Sequence, residues 1–247
     1  MSINNETLGQ TAEKVICDLS GLNSYSLAHR SNEIYEEILL PLIKKALNDL
    51  PPIKRHSGLE RGKNQKKSPI DFWTNDNKTI SVKTNIKGDK QCPSRCGQAG
   101  AETFNNFFSH LYPAYFNKNI NFEKFEELFR TQFHKMIPIY LENLFDCNFM
   151  LWIFKIKNKW NYKIIKREIV PINFDWNIND FRFSHIHRDW KNKGHISSTV
   201  KFFGKTGFDY KYGRAPNSIG EFQVHKNRSG YKFRLFMQKY FKMFGLI

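Results

Sequence analysis

Apolar residues recur at helical spacing in several parts of the chain. They follow an i, i+3, i+4, i+7 pattern over residues 32–49, and similar spacing covers 99–111 and about 121–146. Pro41 and Pro138 lie inside the two longer stretches, where a proline removes a backbone hydrogen bond and clashes with the preceding turn. The pattern therefore predicts a kinked or divided helix at 32–49, a short helix at 99–111, and a helix from about 121 that breaks near Pro138.

Other stretches have the period and composition of strands. Residues 149–156 are continuously apolar, which predicts a buried central strand, and 160–165 is placed to return beside it. Two short β-prone runs flank an Asn/Asp-rich turn within 68–85, which predicts a hairpin. From residue 197 onward, short aromatic-rich strands alternate with glycine. The pattern predicts an α+β fold with a mixed sheet flanked by helices and a β-rich C-terminal part.

Basic side chains accumulate toward the C-terminal part of the chain. The 247 residues carry 39 Lys+Arg and 23 Asp+Glu, a net charge of +16. Residues 149–247 hold a surplus of 14 basic side chains, whereas residues 1–50 have a net charge of −3. A loop at 53–68 adds six Lys or Arg against one Glu. A basic half beside an acidic leader indicates a polyanionic partner, most often nucleic acid.

The composition also excludes several classes of protein. Hydrophobic residues make up 40% of the chain and aromatic residues 15%, which excludes a disordered chain. The polar first ten residues and the lack of an apolar run of about 18 residues predict neither a signal peptide nor a membrane-spanning helix. Four cysteines suit a reducing compartment, so we expect a cytoplasmic protein with no membrane partner. The sequence has no P-loop pattern, which argues against NTP hydrolysis.

The predicted hairpin carries the most informative chemistry. Alternate residues of a strand share a face, so Ser81 and Lys83 lie together while Val82 points to the core. A register that pairs the two arms places Asp71 on that same face. Phosphodiester hydrolysis uses such parts, because a carboxylate holds Mg²⁺, the metal lowers the pKa of a bound water, and a lysine positions that water. The alternative is an exposed ion pair that contributes about 0–1 kcal/mol.

The two arms of this hairpin resemble a known family. The run 69–71 (Pro-Ile-Asp), a turn, and the run 81–83 (Ser-Val-Lys) look like the core of the PD-(D/E)XK nucleases, best known from type II restriction endonucleases. The family pattern is Pro-Asp, a spacer, and Asp/Glu-X-Lys. This sequence departs from it twice, because Ile70 is inserted and Ser81 replaces the second acid. The resemblance implies a restriction-endonuclease-like core in which Asp71 binds Mg²⁺ and Lys83 positions the attacking water.

The resemblance also suggests where a second carboxylate comes from. Some family members with Ser-Val-Lys take the missing acid from the helix that follows, and Glu102 is the matching candidate. Many members also point a glutamate of their first helix at the metal, and Glu37 borders the apolar stripe of the helix at 32–49. Glu33 is a second choice on that helix. We keep Glu102 and Glu37 as alternative metal ligands beside Asp71.

If the resemblance holds, the chain is a Mg²⁺-dependent, sequence-specific type II restriction endonuclease for double-stranded DNA. Such enzymes cut palindromes as dimers, so we expect a homodimer and a cognate DNA methyltransferase in the same system. The division would be a catalytic core at 1–165 and a basic, β-rich DNA-recognition region at 166–247, unless both form one continuous domain. The polar side chains predicted to contact DNA are Lys63, Lys66, Lys67, Gln98, Lys201, Arg214, Glu221, Gln223, His225, Arg228 and Arg234.

Other readings of the sequence stay open. The alternatives are a non-catalytic, basic nucleic-acid-binding protein and a nuclease of the same core that recognises nucleic-acid structure. Cys92 and Cys96 have the spacing that opens a zinc site, but no histidine pair has finger spacing. His185 and His187 share a strand face, and His195 follows them, but no companion motif of an HNH-type nuclease accompanies them.

Overall fold

The computed structural model describes residues 4–58, 69–112, 122–190, 195–204, 218–225 and 230–247. Within these ranges the side chains at 122, 123, 186–190, 195–197 and 225 are not described. The helices are α1 (Asn5–Leu19), α2 (Tyr25–Ala28), α3 (Glu33–Leu47), α4 (Ala101–Phe108), α5 (Phe122–Leu144) and α6 (Met237–Met243), with short 3₁₀ turns at Ser109–Leu111, Arg167–Ile169 and Ile178–Asp180. The strands are β1 (Ile53–His56), β2 (Phe72–Thr74), β3 (Thr79–Asn85), β4 (Lys90–Gln91), β5 (Gln98–Gly100), β6 (Phe149–Ile156), β7 (Lys159–Lys166), β8 (Arg182–Trp190), β9 (His195–Phe203), β10 (Gly220–His225) and β11 (Gly230–Phe236).

The chain forms two compact units, and each unit consists of two separate segments of the chain. The first unit comprises residues 1–89 and 145–170, and the second comprises 90–144 and 171–247. These limits differ from the predicted division into 1–165 and 166–247. The reason is packing, because the segment with α4 and α5 places its aromatic side chains against the C-terminal strands. None of the described helices is long and apolar enough to cross a membrane.

The first unit contains a mixed sheet with the strand order β1-β2-β3-β6-β7. Strands β3 and β6 pair in parallel at its centre, and the remaining neighbours are antiparallel. Helices α1 and α3 pack against each other, and their apolar side chains form one core with residues from a single face of the sheet, including Phe72, Ile80, Val82 and Leu151. The predicted α+β class with a mixed sheet and flanking helices is confirmed.

The helix predicted over 32–49 is present as α3, and Asn32 caps its first turn. The Asn32 side chain accepts a hydrogen bond from the Tyr35 N–H at 3.2 Å, which satisfies one free donor of the first turn. Pro41 lies inside this continuous helix, and Pro138 likewise lies inside α5, so the predicted break near Pro138 is wrong. The sequence analysis did not predict α1, which Asn4 caps by accepting from the Thr7 N–H at 2.9 Å.

The predicted hairpin at 68–85 is present as β2 and β3. Its turn is held by Thr74, whose hydroxyl donates to the Asp76 carboxylate at 2.5 Å and accepts from the Lys78 N–H at 2.9 Å. Asn77 has a φ of 59°, a left-handed conformation that asparagine tolerates better than most residues. The turn therefore depends on the hydrogen bonds of Thr74 and on the left-handed backbone of Asn77.

The second unit contains a sheet with the strand order β4-β11-β10-β9-β8, and β5 pairs with β11. Phe222, Tyr231 and Phe233 point to one face of this sheet, where Phe104 of α4 and Tyr140 of α5 contact them. The ring centroids of Tyr140 and Phe233 lie 4.1 Å apart in a stacked arrangement. The opposite face carries the alternating polar residues of β10 and β11.

Candidate active site

Asp71 stands immediately before β2, where hydrogen bonds fix its backbone on both sides. Its N–H donates to the Ile80 carbonyl at 2.9 Å, and its carbonyl accepts from the Ser57 N–H at 2.8 Å. The register that pairs Phe72 with Ile80 places Asp71 opposite Ser81 across the hairpin. Opposite residues of an antiparallel pair share a face of the sheet. Asp71 therefore lies on the face of Ser81, in the register that the sequence analysis assumes.

Ser81 stands where the family pattern has a second acid, and its side chain contacts Asp71. Ser81 is fully buried, and its hydroxyl donates to Asp71 Oδ2 at 3.3 Å. The same oxygen accepts from the Val82 N–H at 2.6 Å, a short bond of the kind that charged acceptors make. These two donors fix the orientation of the carboxylate against β3. Ser81 thus orients one acid and supplies no second one.

Lys83 lies two residues further along β3, on the same face as Ser81. Val82 points the other way, into the core with α1 and α3. Lys83 is half-buried, and its ammonium is close enough to the Asp71 carboxylate for the two charges to interact. Both charges also act on Cys147, although burial is the main cause that raises the pKa of that thiol to about 12. The hairpin therefore brings a carboxylate and an ammonium together.

A third charged residue of this site comes from α1. Glu13 is 21% exposed at its side chain, and its Oε2 lies 2.8 Å from Nε2 of His56, the last residue of β1. The His56 ring is buried, and it packs edge-on against Phe72 with 4.8 Å between ring centroids. Glu13 is also close enough to Asp71 for its charge to act on that carboxyl. The first helix of the chain thus places a second acid near Asp71.

Burial and the charge of Glu13 are the main influences on the Asp71 carboxyl. The pKa of Asp71 is raised from 3.8 to about 7, first by burial and then by the negative charge of Glu13. The Lys83 ammonium and the Val82 N–H favour the charged form and oppose this rise. Two carboxylates in a part-buried site repel each other, and a bound cation relieves that repulsion. Such an arrangement is typical of catalytic and cation-binding sites.

The raised pKa of Asp71 predicts how stability changes with pH in metal-free protein. Between about pH 4 and 7 the folded chain holds a proton on Asp71 that the unfolded chain has released, so stability falls as pH rises through this window. Asp71→Asn removes this loss. We expect the variant to be more stable than the wild type at pH 8 by about 1–3 kcal/mol, and nearly equal to it at pH 4.

Urea unfolding in EDTA at the two pH values measures this difference directly. Asp76→Asn is the control, because Asp76 is exposed in the turn of the same hairpin and its own pKa is lowered by the Thr74 hydroxyl and Lys78. An Asp71→Asn variant that gains no stability between pH 4 and pH 8 would show that the carboxylate is ionised throughout this range.

The site offers oxygen ligands of the type that Mg²⁺ binds. Among the described residues, no group of three or more His, Cys, Asp or Glu side chains is arranged to hold a metal ion. Mg²⁺, however, commonly uses one or two protein carboxylates and completes its shell with water and phosphate oxygens. Asp71 and Glu13 fit that requirement.

The other predicted metal ligands lie on α3 and α4. Glu37 and Glu33 are exposed on α3, and the glutamate next to them, Glu36, binds Lys14 at 2.8 Å. Glu102 is exposed in the first turn of α4, which belongs to the second unit. Glu13 lies near enough to Asp71 for its charge to act on that carboxyl, and Glu13 was not among the metal ligands predicted from the sequence.

Several of the residues predicted to contact DNA are described. Gln98 is exposed on β5, and Lys201 and Gln223 are half-buried on β9 and β10. The predicted residues that lie outside the described part of the chain are Lys63, Lys66, Lys67, Arg214 and Arg228, and the side chain at 225 is likewise not described.

Glu221 and Arg234 bind each other. Glu221 is buried, and its Oε1 lies 2.8 Å from Arg234 Nη1 and 2.9 Å from Lys90 Nζ. Burial by itself raises the pKa of Glu221, but the hydrogen bonds from Lys90 and Arg234 outweigh it and lower the pKa. For Glu221 to bind a base edge, as the sequence analysis predicts, this cluster would have to open.

A signal for Glu13 exists in the sequence. Leu8, Ala12, Val15 and Ile16 recur at helical spacing over the first twenty residues, and all four are buried. Asn4 precedes this run as a typical N-cap. The helix was therefore predictable, and Glu13 lies beside its apolar stripe.

Sequence comparison relates this chain to a restriction enzyme. Over 240 residues, or 97% of the chain, it is 27% identical to the type II restriction enzyme CviAII of Paramecium bursaria Chlorella virus 1. The chain spans about 60% of the length of that relative. No protein-family model matches the chain, and no solved structure matches it. The similarity supports a restriction-enzyme-like relationship with a distant homologue.

Proposed function

We propose that this chain is a type II restriction endonuclease of the PD-(D/E)XK kind, which hydrolyses phosphodiester bonds of double-stranded DNA at a specific sequence with Mg²⁺. The observation that carries the proposal is the placement of Asp71 against Ser81 and Val82 of β3, with Lys83 on the same face and with Glu13 near enough for its charge to act on Asp71. Carboxylates beside a lysine are the parts that metal-assisted phosphodiester hydrolysis uses. The similarity to CviAII, a type II restriction enzyme, supports the same conclusion.

In this proposal Asp71 and Glu13 would hold Mg²⁺, and the bound ion would supply Lewis-acid chemistry at the scissile phosphate. The chain's own groups prepare the site. The Ser81 hydroxyl and the Val82 N–H orient the Asp71 carboxylate. Lys83 positions the attacking water and stabilises the negative charge that develops on the phosphate oxygens.

The second unit supplies the DNA-reading part of the proposal. Its polar sheet face carries Gln98, Gln223 and Lys201, whose side chains are able to bind base edges or phosphates. The basic surplus of the C-terminal part suits a polyanion. A homodimer that reads a palindrome, and a cognate methyltransferase in the same system, complete the proposal.

Cleavage of a plasmid of known sequence tests the proposed function. The purified chain is incubated with supercoiled plasmid in Mg²⁺ or in EDTA, and the fragment ends are sequenced. We expect discrete bands with a common end sequence in Mg²⁺ and intact plasmid in EDTA. Binding without cleavage would instead support the non-catalytic nucleic-acid-binding protein. Cleavage confined to branched or damaged substrates would support the structure-specific nuclease.

Glutamate substitutions identify the second carboxylate. We expect Glu13→Gln to lower the cleavage rate by about 10²-fold or more, because it removes a charged ligand while keeping the side-chain shape. Single-turnover rates on one oligonucleotide duplex measure this effect. Glu6→Gln is the matched control, since Glu6 is exposed on the same helix. The same assay on Glu37→Gln and Glu102→Gln separates the alternatives, and a loss confined to Glu102→Gln would contradict the assignment of Glu13.

A further inference from the structure

His56 binds Glu13, one of the two acids of the proposed site, and its hydrogen bonds define which ring nitrogen carries the proton. Its Nδ1 accepts from the Gly58 N–H at 3.1 Å, and a backbone N–H can only donate. Nδ1 therefore carries no proton, and the ring proton is on Nε2. Nε2 then donates to Glu13 Oε2 at 2.8 Å. The Gly58 N–H thus selects the tautomer that binds Glu13.

The orientation of the His56 ring is also fixed by packing. The ring is 6% exposed, and it meets Phe72 at an interplanar angle of 77°. A glutamate side chain has several rotatable bonds, so an exposed one samples many positions. The bond from a fixed ring restricts the Glu13 carboxylate to one region and leaves its other oxygen, Oε1, free of His56.

The same short segment of chain also holds Asp71. Ser57 follows His56 directly, and its N–H donates to the Asp71 carbonyl at 2.8 Å. The Ser57 hydroxyl donates to the Ile70 carbonyl at 2.8 Å. The end of β1 therefore binds one acid through a side chain and the other through the backbone, which links the positions of the two carboxylates.

We propose that His56 is a positioning residue that fixes the Glu13 carboxylate so that the carboxylates of Glu13 and Asp71 bind one divalent cation. The inference rests on the proposed function, because it takes these two acids as the metal ligands. Partners that orient a metal ligand typically change metal affinity by about 10–100-fold when they are removed. In this proposal His56 acts through Glu13 and is itself neither a metal ligand nor a substrate contact.

Three substitutions separate the hydrogen bond from the packing. His56→Gln keeps an N–H donor that can reach Glu13. His56→Phe keeps the ring against Phe72 and loses the donor. His56→Asn keeps an acceptor for the Gly58 N–H but is too short to reach Glu13, and it tests the same loss if His56→Phe does not fold. Urea unfolding in EDTA first establishes that each variant is folded.

The readout is Mn²⁺ binding to the DNA-free protein, measured as the Mn²⁺ concentration that gives half of the maximal rise in melting temperature. We expect His56→Phe and His56→Asn to raise this concentration about tenfold or more, and His56→Gln to stay within about threefold of the wild type. Cleavage assays should show a lower kcat with a KM for DNA within about twofold. In a Glu13→Gln background, His56→Phe should have no further effect on Mn²⁺ binding.

Equal Mn²⁺ affinities in wild type and the folded donor-deficient variants would overturn the role of His56. So would a further loss of Mn²⁺ binding in the Glu13→Gln background, or a wild type that binds no Mn²⁺. A wild type that binds Mn²⁺ but cuts no DNA would overturn the proposed function alone, and the Mn²⁺ comparison would still decide the role of His56.

Discussion

Replacing Asp71 with asparagine is expected to lower the rate of DNA cleavage by about 10³-fold or more, equivalent to about 4 kcal/mol of transition-state stabilisation. Asparagine keeps the size of the side chain, and its oxygen can still accept from the Val82 N–H and the Ser81 hydroxyl. It lacks the negative charge that binds a cation. The loss should therefore appear in catalysis, and folding should be preserved.

DNA binding should change little in the same variant, within about threefold, because contacts to phosphates dominate affinity. Single-turnover cleavage and fluorescence anisotropy on one duplex measure the two quantities separately. Asp76→Asn is the matched control, since Asp76 is an exposed acid on the same hairpin and pairs with Lys78 at 2.9 Å. If Asp71→Asn cuts at the wild-type rate, the hairpin is not the active site.

Local sequence signals predicted the parts of the site that one hairpin contains. The turn between β2 and β3 is closed by Thr74 and Asn77, residues that favour this geometry through short-range hydrogen bonds and a positive φ. The alternation along β3 then separates Lys83 from Val82 without reference to the rest of the fold. Nothing beyond about fifteen residues was needed for these predictions.

The second acid could not be identified in this way, because its position depends on contacts that are distant in sequence. Glu13 and His56 are 43 residues apart, and they meet only when α1 packs against β3 and β1 pairs with β2. In the sequence, α3 is the first helix with a clear apolar stripe, so the helical glutamate was predicted at Glu37, with Glu33 as the second choice. A periodic apolar stripe shows that a helix is amphipathic, but not which sheet face it covers.

Contacts between distant parts of the chain also explain why the ion pairs of Glu221 in the second unit were not predicted. Strand alternation correctly separates Glu221 from Phe222, and a polar face open to DNA follows if no partner is near. The actual partner Lys90 lies 131 residues away, on β4 at the edge of this sheet. Patterns of hydrophobic and polar residues predict faces of elements, whereas ion pairs between distant strands depend on the sheet order.

Lys83→Met is expected to lower the single-turnover rate by about 10²-fold or more, because methionine keeps the length of the side chain but cannot bind the attacking water or stabilise charge on the phosphate. Lys78→Met is the control, since Lys78 is a half-exposed lysine of the same hairpin.

Lys83→Met should also change the pKa of Asp71, because the Lys83 ammonium acts on that carboxyl. Lys83 helps to lower the pKa of Asp71 against the larger effects of burial and Glu13, so its removal should raise that pKa above about 7. In metal-free protein the pH-dependent loss of stability should then extend to higher pH than in the wild type. Urea unfolding in EDTA between pH 5 and 9 measures this shift without any DNA. Wild-type cleavage together with an unchanged pH profile would show that the Lys83 ammonium does not act on Asp71.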